Sequence, residues 1–149
     1  MVLEFNCRFG DPETQPIMMR MESDLLEAME SSIAGRTSDG DFRWSADPAV
    51  CVVMASGGYP GAFEAGMPIF GIDEAERIYG VKVFHAGTNR RDNTYYTTGG
   101  RVLGVTARGG DLPEAVERAY DAVMKIRFEG MHYRKDIAAR GLRHLRGER

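Results

Sequence analysis

The segment from Asp111 to Met124 constrains the chain more than any other. Asp111-Leu112-Pro113-Glu114 has the spacing of a helix start, an acidic cap with a glutamate three residues on. Leu112, Ala115, Val116, Ala119, Tyr120, Val123 and Met124 then keep helical spacing, a full apolar stripe that must be buried against another element. Ala49–Ala55 supplies a continuous apolar strand, closed by the tight turn Ser56-Gly57-Gly58-Tyr59-Pro60-Gly61. Further strands are expected at 81–86 and 101–107, with a shorter one at 95–98. Gly87, Gly99 and Gly100 punctuate them. A last strand near 132–134 and a short terminal helix complete a small α+β unit over 49–149.

The segment before it reads differently. In Val2–Arg8 the side chains alternate, with Leu3, Phe5 and Cys7 on one face and Glu4, Asn6 and Arg8 on the other. One strand is not a sheet, so this one reads as the last strand of a larger body. Phe9–Pro16 is a turn-rich loop with two prolines. A helix capped by Ser23 or Asp24 follows, with Leu25, Leu26, Met29 and Ile33 on one stripe and a stop at Gly35. The polar stretch 36–48 reads as a linker or exposed loop.

Composition removes several classes of function. The 149 residues carry 19 basic and 22 acidic side chains, a formal net charge of −3, so no global field recruits nucleic acid. No apolar run approaches the roughly 20 residues of a membrane span, and the N-terminus lacks a signal-peptide pattern. Cys7 and Cys51 have no Cys-x-x-Cys or Cys/His spacing, which excludes a zinc site or disulfide framework and makes a reducing cytoplasm the default. Both read as small apolar core groups. Residues 131–149 hold six basic side chains (Arg134, Lys135, Arg140, Arg143, Arg146 and Arg149) against Asp136 and Glu148. That tail suits either a phosphate-rich partner or a solvated helix end facing its own dipole.

Glu4, Asn6 and Arg8 form the sharpest constellation. Alternate strand residues lie about 6.6–6.8 Å apart along one face. A carboxylate and an amide oxygen are hard ligands suited to Mg²⁺ bound with substrate phosphates, and the arginine presents a planar fork to a phosphate. The same pattern also serves as an ordinary solvated sheet face.

Leu3-Glu4-Phe5-Asn6 joined to Arg8-Phe9-Gly10-Asp11-Pro12-Glu13-Thr14-Gln15 strongly resembles the signature of glycinamide ribonucleotide synthetase (phosphoribosylamine–glycine ligase), an ATP-grasp family of purine biosynthesis. The resemblance continues, in the family's order, through Gly57–Gly61, Val83–Thr88, Gly99–Leu103 and Tyr133–Ile137. It covers the C-terminal part of the family. It implies that 1–36 finish an ATP-grasp lobe, 37–48 link, and 49–149 form the ligase C-terminal domain. It also implies ATP-dependent joining of glycine and 5-phosphoribosylamine through glycyl phosphate. Glu4 and Asn6 match the family's ligands for Mg²⁺ (or Mn²⁺), and Arg8 matches the arginine near the transferred phosphoryl group. Asp11 and Glu13 are candidate contacts for substrate amines, or caps for the amides that follow. Arg101 reaches a substrate phosphate or pairs with its own domain's acidic excess. His85, after an apolar strand, reads as structural rather than as a general base.

The chain has no Gly-x-Gly pair, no phosphate loop of the Gly-x-x-x-x-Gly-Lys type, and only Lys82, Lys125 and Lys135 as lysines. In this family the nucleotide-holding residues lie upstream of the strand that opens here. The resemblance therefore implies a piece that is inactive without an N-terminal ATP-grasp lobe. The competing expectation is a non-catalytic interaction module, a stand-alone remnant of the C-terminal domain.

Overall fold

The computed structural model describes Phe5 and residues 7–147. Phe5 has no regular structure, and Cys7 and Arg8 lie in a bend, so the expected first strand is not seen in these three residues. Glu4 and Asn6 fall outside the described residues.

The first element is helix α1, Thr14–Arg20, which begins inside the Phe9–Pro16 stretch expected to be a loop and runs past its end. Pro16 sits in its first turn, where an amide hydrogen has no helical partner, so the proline costs nothing there. Helix α2, Leu25–Ile33, starts as expected, with the Asp24 carboxylate accepting from the amides of Leu26 and Glu27. It packs mainly against a single 3₁₀ turn at Asp39–Asp41 and leaves Leu26, Met29 and Ile33 exposed. Residues 36–48 are mostly exposed but strapped down. Glu22 N donates to Arg43 O (2.9 Å), Ser45 N donates to Arg20 O (2.8 Å), and Met21 bridges to Trp44.

The strands and helices that follow are β1 (Ala49–Ala55), β2 (Pro68–Ile69), α3 (Ile72–Glu76), β3 (Val81–His85), β4 (Thr88–Arg91), β5 (Thr94–Thr97), β6 (Arg101–Arg108), α4 (Leu112–Lys125), β7 (His132–Tyr133) and α5 (Ala139–Leu145). One antiparallel sheet has the order β3-β6-β1-β7, and a smaller one the order β2-β5-β4. The β4–β5 hairpin turns through Asp92 and Asn93, both at positive φ, the geometry of a tight two-residue hairpin. The mixed α+β character expected from the sequence is what the chain adopts.

Register decides which residues face which helix. Val50, Val52 and Met54 on β1 lie opposite Ala107, Val105 and Leu103 on β6, so all six share a face. That face packs on the fully buried Ala115, Ala119, Ala122 and Val123 of α4. The other face carries Cys51 opposite Thr106 and Val53 opposite Gly104, and α1 lies against it. A Cβ at Gly104 would meet Cys51 Sγ at 3.3 Å and Gln15 Cγ at 3.6 Å.

Asp111 caps α4, accepting from Glu114 N at 2.8 Å. Asp111→Ala is expected to lower global stability by about 1 kcal/mol in urea unfolding, because α4 closes the core. Asp24→Ala is expected to leave the midpoint unchanged, since α2 frays without opening that core. Equal losses for both variants would mean that α2 belongs to the main cooperative unit.

Candidate functional site

The C-terminal end of β1 is built from backbone. Past Ala55, Ser56 N donates to Gly100 O (2.8 Å) and the Ser56 hydroxyl donates to Gly99 O (2.9 Å), tying the turn after β1 to the turn before β6. The Tyr59 ring lies directly on Gly100, where any side chain would overlap it. Gly87 N donates to Arg101 O (2.9 Å), and a Cβ at Gly87 would come within 2.7 Å of Gly99 Cα. The close approach of main chains requires glycine at Gly87, and the overlying Tyr59 ring leaves no room for a side chain at Gly100. The resulting sheet end is small-featured and tied by hydrogen bonds, and Tyr59, His85, Thr88 and Arg101 stand around it.

Asp11 joins this end from 90 residues away. Arg101 Nη2 lies 3.1 Å from Asp11 Oδ2, and Arg101 Nη1 donates to Asp11 O at 3.4 Å. Gln15 Nε2, on α1, donates to Asp11 Oδ1 at 3.3 Å. Both members of the pair are 43% exposed, so the attraction itself is worth only about 0–1 kcal/mol. Its consequence is geometric: the loop after Arg8 is held against the start of β6, with the guanidinium still open to solvent.

The other expected site residues are spread differently. Glu13 is exposed and precedes α1 without a side-chain capping bond. Arg8 is exposed, donating to Phe9 O at 3.2 Å. Among the described residues, no three His, Cys, Asp or Glu side chains gather as a metal cage. Cys51 is buried as expected, its thiol pushed up by burial and by the Asp11 charge against a Thr106 hydrogen bond. Cys7 is exposed, against the expectation of a core group.

His85 closes β3 beside this end. Its Nδ1 lies 3.0 Å from Thr88 Oγ1, and its ring stacks on Tyr95 with centroids 4.3 Å apart. Burial pushes its pKa below the ordinary value. The Glu76 carboxylate pulls it back up, and the Lys82 ammonium pushes it down. Glu76 is itself pulled low. Burial opposes this, but Lys82 at 2.7 Å and the Val83 amide prevail. Sequence reasoning passed over Ser56, Tyr59 and Thr88 as site neighbours, although each sits beside a glycine block it had singled out.

Residues 49–140 match the family described as phosphoribosylglycinamide synthetase, C domain, and the chain belongs to that family. It is 51% identical over 142 residues to the phosphoribosylamine–glycine ligase of Rhodopirellula baltica, covering 95% of this chain and 32% of that protein. It is 54% identical over 144 residues to the chloroplastic phosphoribosylamine–glycine ligase of Arabidopsis thaliana, covering 95% and 27%. The crystal structure of the Thermotoga maritima phosphoribosylamine–glycine ligase superposes with a TM-score of 0.75 at 34% identity, over 91% of this chain and 32% of that one. The chain thus spans about a third of the length of these relatives.

His85 resists protonation in the folded state, so the stability tied to its neutral form is present above its ordinary pKa and declines as pH falls below it. An NMR titration is expected to place His85 below 6.5. Glu76→Gln, which keeps an acceptor for Val83 N but removes the charge, is expected to lower it further. A rise on that substitution would contradict the arrangement of Glu76, Lys82 and His85.

Proposed function

We propose that the chain supplies the C-terminal third of a phosphoribosylamine–glycine ligase and works with the remaining two thirds of such an enzyme. The observation that carries the reading is the Asp11–Arg101 pair, which brings the Arg8–Gln15 signature segment and the Gly99–Leu103 block onto one surface. Membership of the C-domain family and the named relatives support it. In this reading residues 1–36 finish the ATP-grasp lobe, 37–48 connect, and 49–149 form the domain that closes over the substrates. The proposed setting is the cytoplasm, although the Arabidopsis relative is named chloroplastic.

The reaction moves the γ-phosphoryl group of ATP to a carboxylate oxygen of glycine, releasing ADP. The amine of 5-phosphoribosylamine then attacks the acyl carbon, phosphate leaves, and the new amide nitrogen loses a proton. Arg8 sets its guanidinium against charge that spreads over the phosphoryl oxygens during transfer. Glu4 and Asn6 would hold Mg²⁺ or Mn²⁺, which would supply further neutralisation when bound together with the nucleotide. Arg101 takes the phosphate of phosphoribosylamine. A phosphate dianion outcompetes a single carboxylate for a guanidinium fork, so Asp11 is released towards the substrate amine, with Glu13 nearby in the loop. The chain alone is inactive because the nucleotide-holding groups belong to the other lobe.

The test is a chimera in which this chain replaces the corresponding third of the Rhodopirellula baltica ligase. The chimera is expected to cleave ATP only when glycine and phosphoribosylamine are both present. Arg101→Gln should raise the KM for phosphoribosylamine about tenfold and leave that for glycine unchanged. Arg8→Lys should lower kcat by roughly a hundredfold at unchanged glycine KM. A well-folded chimera without ATP cleavage, or an Arg101 effect confined to glycine, sinks this reading in favour of the interaction module.

A further inference from the structure

The Tyr133–Ile137 signature block takes no part in the site described above, yet it is firmly built. The Tyr120 hydroxyl, on α4, donates to Arg134 O (2.8 Å) and accepts from Ile137 N (3.1 Å), fixing both ends of the turn. Ile137 and Ala138 pack on the core. Arg134 grips Asp136 through two bonds, Nε to Oδ1 at 2.9 Å and Nη2 to Oδ2 at 2.8 Å. The chain then enters α5, which packs back on α4.

Between this turn and α5 lies an open pocket of about 520 Å³, rimmed by Arg134, Asp136, Arg140 and Arg143. Three arginines and one aspartate thus line it, and the aspartate carboxylate is already occupied by Arg134. Arg140 and Arg143 stand one helical turn apart and form no ion pair among the described residues. Two guanidinium forks at that spacing, beside an acid already paired with Arg134, suit an anion with several oxygens, such as a phosphate dianion. None of the residues lining this pocket belongs to the glycine-built sheet end.

We propose that this pocket is a second anion site, taking a phosphate group through Arg140 and Arg143 while the Arg134–Asp136 pair forms its fixed wall. The proposal does not depend on the ligase reading. The phosphate comes either from free inorganic phosphate or from a sugar phosphate, and the probes separate these sources.

The full 149-residue chain is titrated with inorganic phosphate and, separately, with ribose 5-phosphate, followed by ¹H–¹⁵N NMR. Saturable shifts centred on residues 134–143 are expected. Tighter binding of ribose 5-phosphate assigns a sugar phosphate, and equal binding assigns the phosphate alone. Arg140→Gln and Arg143→Gln are each expected to weaken binding at least tenfold, while Arg36→Gln, the same charge change on an exposed loop, leaves it unaltered. Both arginines are exposed, so unchanged α4 and β1 resonances establish that the variants fold. Shifts that rise linearly without saturation, scatter over the surface, or survive both substitutions overturn the proposal.

Discussion

Everything else in the chain hangs on how closely α4 approaches the β1–β6 pair. Ala115, Ala119 and Ala122 are all fully buried, and each offers only a methyl group to the sheet. The helix can therefore approach the sheet closely, and Val52, Val105, Val123, Met54 and Leu103 share the same buried core. With one face sealed in this way, the pleat fixes which residues point the other way. Cys51, Val53, Gly104 and Thr106 are then available to the face on which α1 rests. The position of Asp11 beside Arg101 follows from that docking, because α1 starts three residues after Asp11.

The core was legible in the sequence because its signals are local and strong. The apolar run 49–55 and the strand range expected from 101 onward match β1 and β6, and Asp111 caps α4 as its spacing implied. What was missed depends on tertiary contacts. The strand β4 reads Thr-Asn-Arg-Arg, without any apolar alternation, and exists because β5 pairs with it across the Asp92–Asn93 turn. Helix α1 was hidden by Pro12 and Pro16, which signal a loop unless one knows that Pro16 falls in a first turn. The short α3 follows Gly71 at positive φ and buries Ile72 and Ala75 against neighbours far along the chain, a pattern too brief for any periodicity to show.

The site was legible in part. Arg101 and Asp11 were singled out separately, and both alternatives for Arg101, phosphate contact or internal ion pair, were open on sequence grounds. The ion pair is present, but with a residue of the N-terminal loop rather than with the domain's own acids. The guanidinium of that pair stays half-exposed. The contacts of His85 run to Thr88 and Tyr95 within the same hairpin region.

The central claim is that the signature loop and the glycine-built sheet end form one surface because α1 is docked on the sheet. Hydrogen exchange on the 149-residue chain tests this most directly. The account predicts that the helical amides of Met18–Met21 exchange at least tenfold more slowly than an unfolded peptide. It further predicts that Leu26→Ser, on the exposed face of α2, leaves that protection intact. Exchange of Met18–Met21 at the unfolded rate, with β1 and β6 still protected, would contradict the claim and detach Asp11 from Arg101.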